Sequence, residues 1–154
     1  MDKNTFYAEL CRDLDALIDD ERDWVANLAN ASALLNERLE RINWVGFYIL
    51  KGDELVLGPF QGKPACIRIA LGKGVCGTTA LQRKPQVVPD VNEFPGHIVC
   101  DPASRSEIVV PLEYEGRLLG VLDIDSPELG RFDEADAEGL TKVAAILAER
   151  CSWD

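Results

Sequence analysis

The chain has 154 residues, 47% of them hydrophobic and 28% charged, with a formal net charge of -11. That length favours a single domain able to bury its own core, and the apolar content excludes intrinsic disorder. So acidic a chain repels a phosphate backbone and an anionic bilayer surface, which argues against nucleic acid and membrane as partners.

The N-terminus, "MDKNTFYAELCRDLDALIDD", carries charges every few residues. It has no apolar stretch of the kind a signal peptide needs, and no window approaches the roughly 20 apolar residues of a spanning helix. A cytoplasmic location is expected. Phe6, Leu10, Leu14, Leu17 and Ile18 recur at helical spacing over residues 5 to 19. Residues 22 to 40 repeat the pattern through Trp24, Leu28, Leu35 and Leu39. "NWVGFYIL" and "KGDELVLG" then read as a β-hairpin turning at Gly52-Asp53, and "PACIRIAL" as a third, shorter strand. "GKGVCGTTALQRK" reads as a glycine-rich turn into a short helix ending near Arg83, with a brief strand after it at Gln86–Val88. Prolines 89, 95 and 102 make the segment beyond that strand a long loop, and a long irregular loop in a compact domain is often functional. "SEIVVPLEYEGRLLGVLDIDS" reads as a second hairpin. Asp133 is the expected N-cap of a terminal helix whose first turn is acidic. Hairpins in succession imply an α+β domain, a central antiparallel sheet with the N-terminal and C-terminal helices on one face and loops on the other.

Five cysteines in a chain without export signals argue against a structural disulfide framework. Cys151 extends the stripe Leu140, Ala144, Leu147, and Cys11 lies beside Leu10 and Leu14. Both read as packing residues. Cys66, Cys76 and Cys100 lie in the Gly/Pro-rich part of the chain and leave three readings open: core, metal and reactive thiol. Cys76, near the start of the short helix, would have a lowered pKa there. Cys100 has His97 three residues before it and Arg105 five after, and either cation would stabilise a thiolate if it folds back. Against zinc stands the spacing, because structural sites draw on close C-x2–4-C pairs and these cysteines are 10 and 24 residues apart.

Carboxylates supply a second anomaly. Leu119, Val121, Asp123 and Asp125 alternate onto one side of a strand, although aspartate is depleted in strands. A three-residue loop at Tyr114-Glu115-Gly116, with Gly116 left-handed, sets Glu107 opposite Asp123. A two-residue turn at Glu115-Gly116 sets it opposite Ile124, and would prefer Asn or Asp before the glycine. The three-residue loop is therefore expected, with Glu107, Asp123 and Asp125 on one face. Three exposed acids on a wet face are the plain alternative. Buried together, they would raise one another's pKa and could hold an ammonium group or a divalent metal.

The segments "NWVGFYIL", "LVLGPFQGKPACIRI", "GKGVCGTTA", "FPGHIVCDP", "SRSEIVVPL" and "GVLDIDSP" resemble the free methionine-(R)-sulfoxide reductases, which are single GAF domains. The three-cysteine pattern separates that family from other GAF domains. The resemblance implies one GAF domain over residues 1–154, acting on free L-methionine (R)-sulfoxide and not on the oxidised residue within a protein. It implies that Cys100 attacks the sulfoxide sulfur and becomes a sulfenic acid. Cys66 matches the main resolving cysteine, with Cys76 as a second candidate. Thioredoxin then reduces the disulfide, no cofactor is required, and a homodimer is expected. Glu107, Asp123 and Asp125 match the substrate-binding acids, and Trp44 and Tyr48 the aromatic pocket lining, with core packing as the alternative for Tyr48. The rival functions are a non-catalytic GAF-type small-molecule or redox sensor, which usually comes fused to an output domain, and a metal-binding regulator.

Overall fold

Among the described residues six strands, β1 (Trp44–Lys51), β2 (Glu54–Gly62), β3 (Arg68–Ala70), β4 (Gln86–Val88), β5 (Ser106–Tyr114) and β6 (Arg117–Ser126), make one antiparallel sheet in the order β3-β2-β1-β6-β5-β4. The structure is a computed structural model that describes every residue except Val99 and Cys100, so the expected nucleophile lies outside the described residues. β1 (Trp44–Lys51) and β2 (Glu54–Gly62) form the expected hairpin, with Gly52 at φ 67 in its two-residue turn. β3 (Arg68–Ala70) is the short third strand, and β4 (Gln86–Val88) falls where expected. β5 (Ser106–Tyr114) and β6 (Arg117–Ser126) form the second hairpin, and β6 also pairs with β1.

Helices α1 (Lys3–Ile18) and α2 (Trp24–Arg38) start where Asp2 and Asp23 cap them, accepting from the backbone N–H groups of Thr5 and Ala26. These caps satisfy donors that a helix start leaves open, and they shift the expected boundaries by one or two residues. α3 (Gly74–Gln82) is the short helix. α4 (Glu134–Arg150) opens on a capping box, in which Asp133 and Asp136 each accept from the other's backbone N–H.

Alternation along the strands sends residues to two different cores. Val45, Phe47, Ile49, Ile108, Val110, Leu122 and Ile124 face α1, α2 and α4 in a dry apolar layer. Cys151 is buried at the end of α4, where its sulfur accepts from Asn27 Nδ2 at 3.6 Å, and half-buried Cys11 packs against the same layer. On the opposite face Trp44, Tyr48, Val109 and Val121 pack with residues of β3, α3 and the 3-10 turn Val91–Glu93.

The β5–β6 register corrects the expected one. Tyr114 pairs with Arg117 across a two-residue turn, with Glu115 and Gly116 both left-handed at φ 51 and 79. A two-residue turn alone would set Glu107 opposite Ile124. A bulge between Leu112 and Glu113 shifts the pairing, so Glu107 sits opposite Asp125. The extra residue, Leu119, turns to the helix-side core, while Leu118 takes the pocket side. The bulge therefore reverses the expected alternation at Leu118 and Leu119 and preserves it at Val121, Asp123 and Asp125.

Candidate active site

A cavity opens on the sheet face away from α1, α2 and α4. Glu107, Asp123 and Asp125 line it, together with Trp44, Tyr48 and Cys76. The register explains the gathering. Trp44 pairs with Asp125, and Asp125 with Glu107, so these three lie in one row across β1, β6 and β5. Asp123 lies one step along, opposite Gly46. A Cβ at Gly46 would come within 2.2 Å of the Phe60 Cβ, so only glycine lets β2 close over the row.

Glu107 and Asp123 are almost fully buried, at 6% and 5% exposure, and Asp125 is half-buried. Burial pushes the Glu107 carboxyl well above its usual range, reinforced by the charges of Asp123 and Asp125 and by hydrogen bonds to both. Burial likewise pushes Asp125 well up, again with repulsion from Asp123. Asp123 is also raised by burial, but hydrogen bonds from Glu107 and Cys76 oppose that rise. These directions favour protons on Glu107 and Asp125 and make Asp123, which the hydrogen bonds from Glu107 and Cys76 support, the acid that most readily ionises. One Asp123 oxygen, Oδ1, is buried without any hydrogen-bond partner among the described residues. A buried acceptor left open costs stability unless something entering the pocket pairs with it.

Cys76 corrects a second expectation. It lies in the first turn of α3, as expected, yet its thiol is pushed well above its usual pKa. Burial is the main cause, and Asp123, Glu107 and Asp125 add repulsion. Burial, with the neighbouring acids behind it, outweighs the helix dipole. Cys76, Glu107 and Asp123 place one ligand-type atom each within 4.8 Å of one another. Cys66 is half-buried, is disulfide-bonded, and accepts a hydrogen bond at its carbonyl from the Tyr48 hydroxyl at 2.9 Å.

Aromatic rings form one wall. Trp44 stacks on Tyr48, with centroids 6.1 Å apart, and on Phe60 at 5.2 Å. Trp44 Nε1 donates to the Lys63 carbonyl at 3.1 Å, which fixes the indole. Tyr48 is buried but lines the cavity, so packing and pocket lining coincide in it.

His97 lines the cavity too, with Nε2 3.9 Å from Glu107 Oε1, and burial lowers its pKa. Arg105 is exposed and outside the lining, and its backbone is tied in through Ser126 and Val91. Sequence reasoning missed Asn43, whose Nδ2 donates to Asp101 Oδ2 and Ser104 Oγ, each at 3.0 Å. Asn43 thereby ties the loop after residue 100 to the start of β1. It also missed Lys73, which caps α3 without a side-chain hydrogen bond, so the positive end of that helix faces the cavity open. Neither residue carries a local signal, since both act through the tertiary fold.

Residues 8–150 match the GAF domain. The free methionine-R-sulfoxide reductase of Escherichia coli is 55% identical over 96% of this chain and 89% of its own. The Saccharomyces cerevisiae protein of the same name is 45% identical over 98% of this chain and 88% of its own. The X-ray structure of free methionine-R-sulfoxide reductase from Neisseria meningitidis in complex with its substrate superposes with a TM-score of 0.93. It is 50% identical, and the match covers 97% of this chain and 90% of that one.

Proposed function

We propose that this chain, which belongs to the free methionine-R-sulfoxide reductases of the GAF family, reduces free L-methionine (R)-sulfoxide to L-methionine. The observation that carries the reading is one pocket holding a buried acid of raised pKa, an open carboxyl oxygen and an aromatic wall. Each part matches a part of the substrate. The ammonium group pairs with Asp123 and Asp125. The carboxylate lies toward the uncapped start of α3. The S-methyl group packs on Trp44 and Tyr48.

In the proposed reaction the Cys100 thiolate attacks the sulfoxide sulfur, while Glu107 supplies a proton to the sulfoxide oxygen. The oxygen passes to Cys100 as sulfenic acid, and methionine leaves. The Cys66 thiol then attacks the Cys100 sulfur, forming a disulfide and releasing water. A thioredoxin-type dithiol restores both thiols and is itself oxidised. Cys66 is favoured over Cys76 for this step, because burial among acids keeps Cys76 protonated and the thiolate is the nucleophile. The proposal extends to a single GAF domain over the whole chain, a homodimer and a cytoplasmic setting. Among the described residues no helix is long and apolar enough to cross a membrane.

A thioredoxin-coupled assay with the R and S epimers, free and peptide-bound, tests the substrate. Turnover is expected with the free R epimer alone. Cys100→Ser should lose all turnover, and Cys66→Ser should stall after one. Undiminished steady-state activity in Cys100→Ser would sink the mechanism.

A further inference from the structure

We infer that the substrate pocket is also a reversible site for a thiophilic divalent cation of the zinc class, held by Cys76, Glu107 and Asp123 and exclusive with substrate. These residues offer one sulfur and two carboxyl oxygens, all buried and all within 4.8 Å of one another, and the ion displaces to solvent the protons that Cys76 and Glu107 carry. Zinc bonds of about 2.0 to 2.3 Å place tetrahedral ligand atoms roughly 3.3 to 3.8 Å apart. The cluster therefore closes on an ion by at most about 1.5 Å, within reach of side-chain rotation. A mixed sulfur and oxygen set with an adjacent imidazole suits zinc better than magnesium, which demands oxygen ligands and keeps its waters.

An independent observation points to a cation. Asp123 is 5% exposed, and its Oδ1 has no hydrogen-bond partner among the described residues while lining the cavity. His97 lines the same cavity with Nε2 3.9 Å from Glu107 Oε1, beside the three ligand atoms and not among them. Lys73, exposed at the rim, is the lysine of the lining and opposes the ion only weakly from solvent. Substrate ammonium and metal need the same Asp123 oxygen, so each excludes the other. That exclusivity rests on the reductase reading, whereas the metal site itself does not.

The test uses the reduced protein with Cys66→Ser and Cys100→Ser, which removes the competing reactive thiols and leaves the proposed ligands intact. Titration against a chromophoric zinc chelator should give one Zn2+ per chain, with Mg2+ unable to displace it. Co2+ should give a sulfur-to-metal charge-transfer band. Adding Cys76→Ser should abolish that band and weaken zinc binding about tenfold or more. Asp123→Asn should weaken binding similarly, and thermal unfolding shows which variant remains folded, so either can decide. Absence of stoichiometric zinc, or binding indifferent to both substitutions, overturns the site. Free methionine (R)-sulfoxide should weaken zinc binding. If zinc binds but the sulfoxide does not compete, while the unsubstituted enzyme turns it over, exclusivity fails. If zinc binds and turnover is absent, the reductase reading fails and the metal site stands.

Discussion

The two faces of the central sheet are almost equally buried and do opposite things. In β6 the helix-side residues Leu122 and Ile124 are 1% and 0% exposed, and between them Asp123 is 5% exposed. On the helix side the strands bury apolar, close-packed side chains, which is where folding free energy comes from. On the pocket side the same sheet buries two carboxyls against a thiol, and leaves one oxygen without a partner among the described residues. Burial alone does not mark a core. What separates the faces is whether the buried polar groups are satisfied before a ligand arrives.

Glu107→Gln should produce the largest divergence between activity and stability. With its general acid gone, kcat should fall by about 10²- to 10⁴-fold. Stability should move the other way. The Glu107 pKa is raised in the folded state above its usual 4.5. Folding therefore holds that proton more tightly than the unfolded chain does, and the stability it gives is complete below about pH 4.5. This contribution is lost as pH rises through the raised value. Denaturant unfolding should show the Glu107→Gln variant gaining on the parent as pH rises above about 4.5 and through the raised Glu107 pKa. A gap that narrows over that range contradicts a buried neutral acid. The same proton must be present for catalysis, so the kcat of the parent should also decline on the alkaline side.

Phe47→Ala probes the other face. Phe47 is 0% exposed in the helix-side core, and truncation should cost about 3–5 kcal/mol. Turnover per folded molecule should stay near that of the parent, because the pocket lies across the sheet. A specific loss of kcat at full folding would show that the two faces are coupled more tightly than their separate packing implies.

Tyr48→Phe is a smaller change within the pocket. The ring and its stack on Trp44 remain, and only the hydrogen bond to the Cys66 carbonyl is lost. About 0.5–1.5 kcal/mol should go, or roughly 2–4 °C in Tm per kcal/mol. If Tyr48 anchors the Cys66 segment, reductant-dependent recycling should slow while KM holds. A raised KM with unchanged recycling would assign the hydroxyl to substrate instead.

Much of this arrangement was legible in the sequence. Period-2 and helical patterns marked out the strands and the α-helices, because alternation and amphipathicity are local properties. Glu107, Asp123 and Asp125 reach one cavity as strand alternation implied, and Trp44 and Tyr48 line it as the family resemblance implied. Three things were not legible. Hairpin register depends on a bulge at Leu119, and no residue there signals one. The thiol of Cys76 is governed by its burial in the folded pocket and by acids from β5 and β6, distant in sequence, so the local helix start misled. Asn43 and Lys73 act only through the folded neighbourhood.

The register itself has the smallest and most local test. Glu115 occupies the first left-handed position of the two-residue turn at φ 51, where a branched or long side chain is disfavoured. Asn-Gly is the preferred pair for that geometry. Glu115→Asn should therefore stabilise the protein by about 0.5 kcal/mol, since the native backbone is already what asparagine tolerates. Turnover should not change, because the bulge between the turn and Glu107 fixes the pairing with Asp125 independently of which residue makes the turn. A three-residue loop would predict no gain, as Glu115 would then have no left-handed position to relieve. The sign of a change of about half a kilocalorie at the tip of the hairpin thus reports whether its turn has two residues or three.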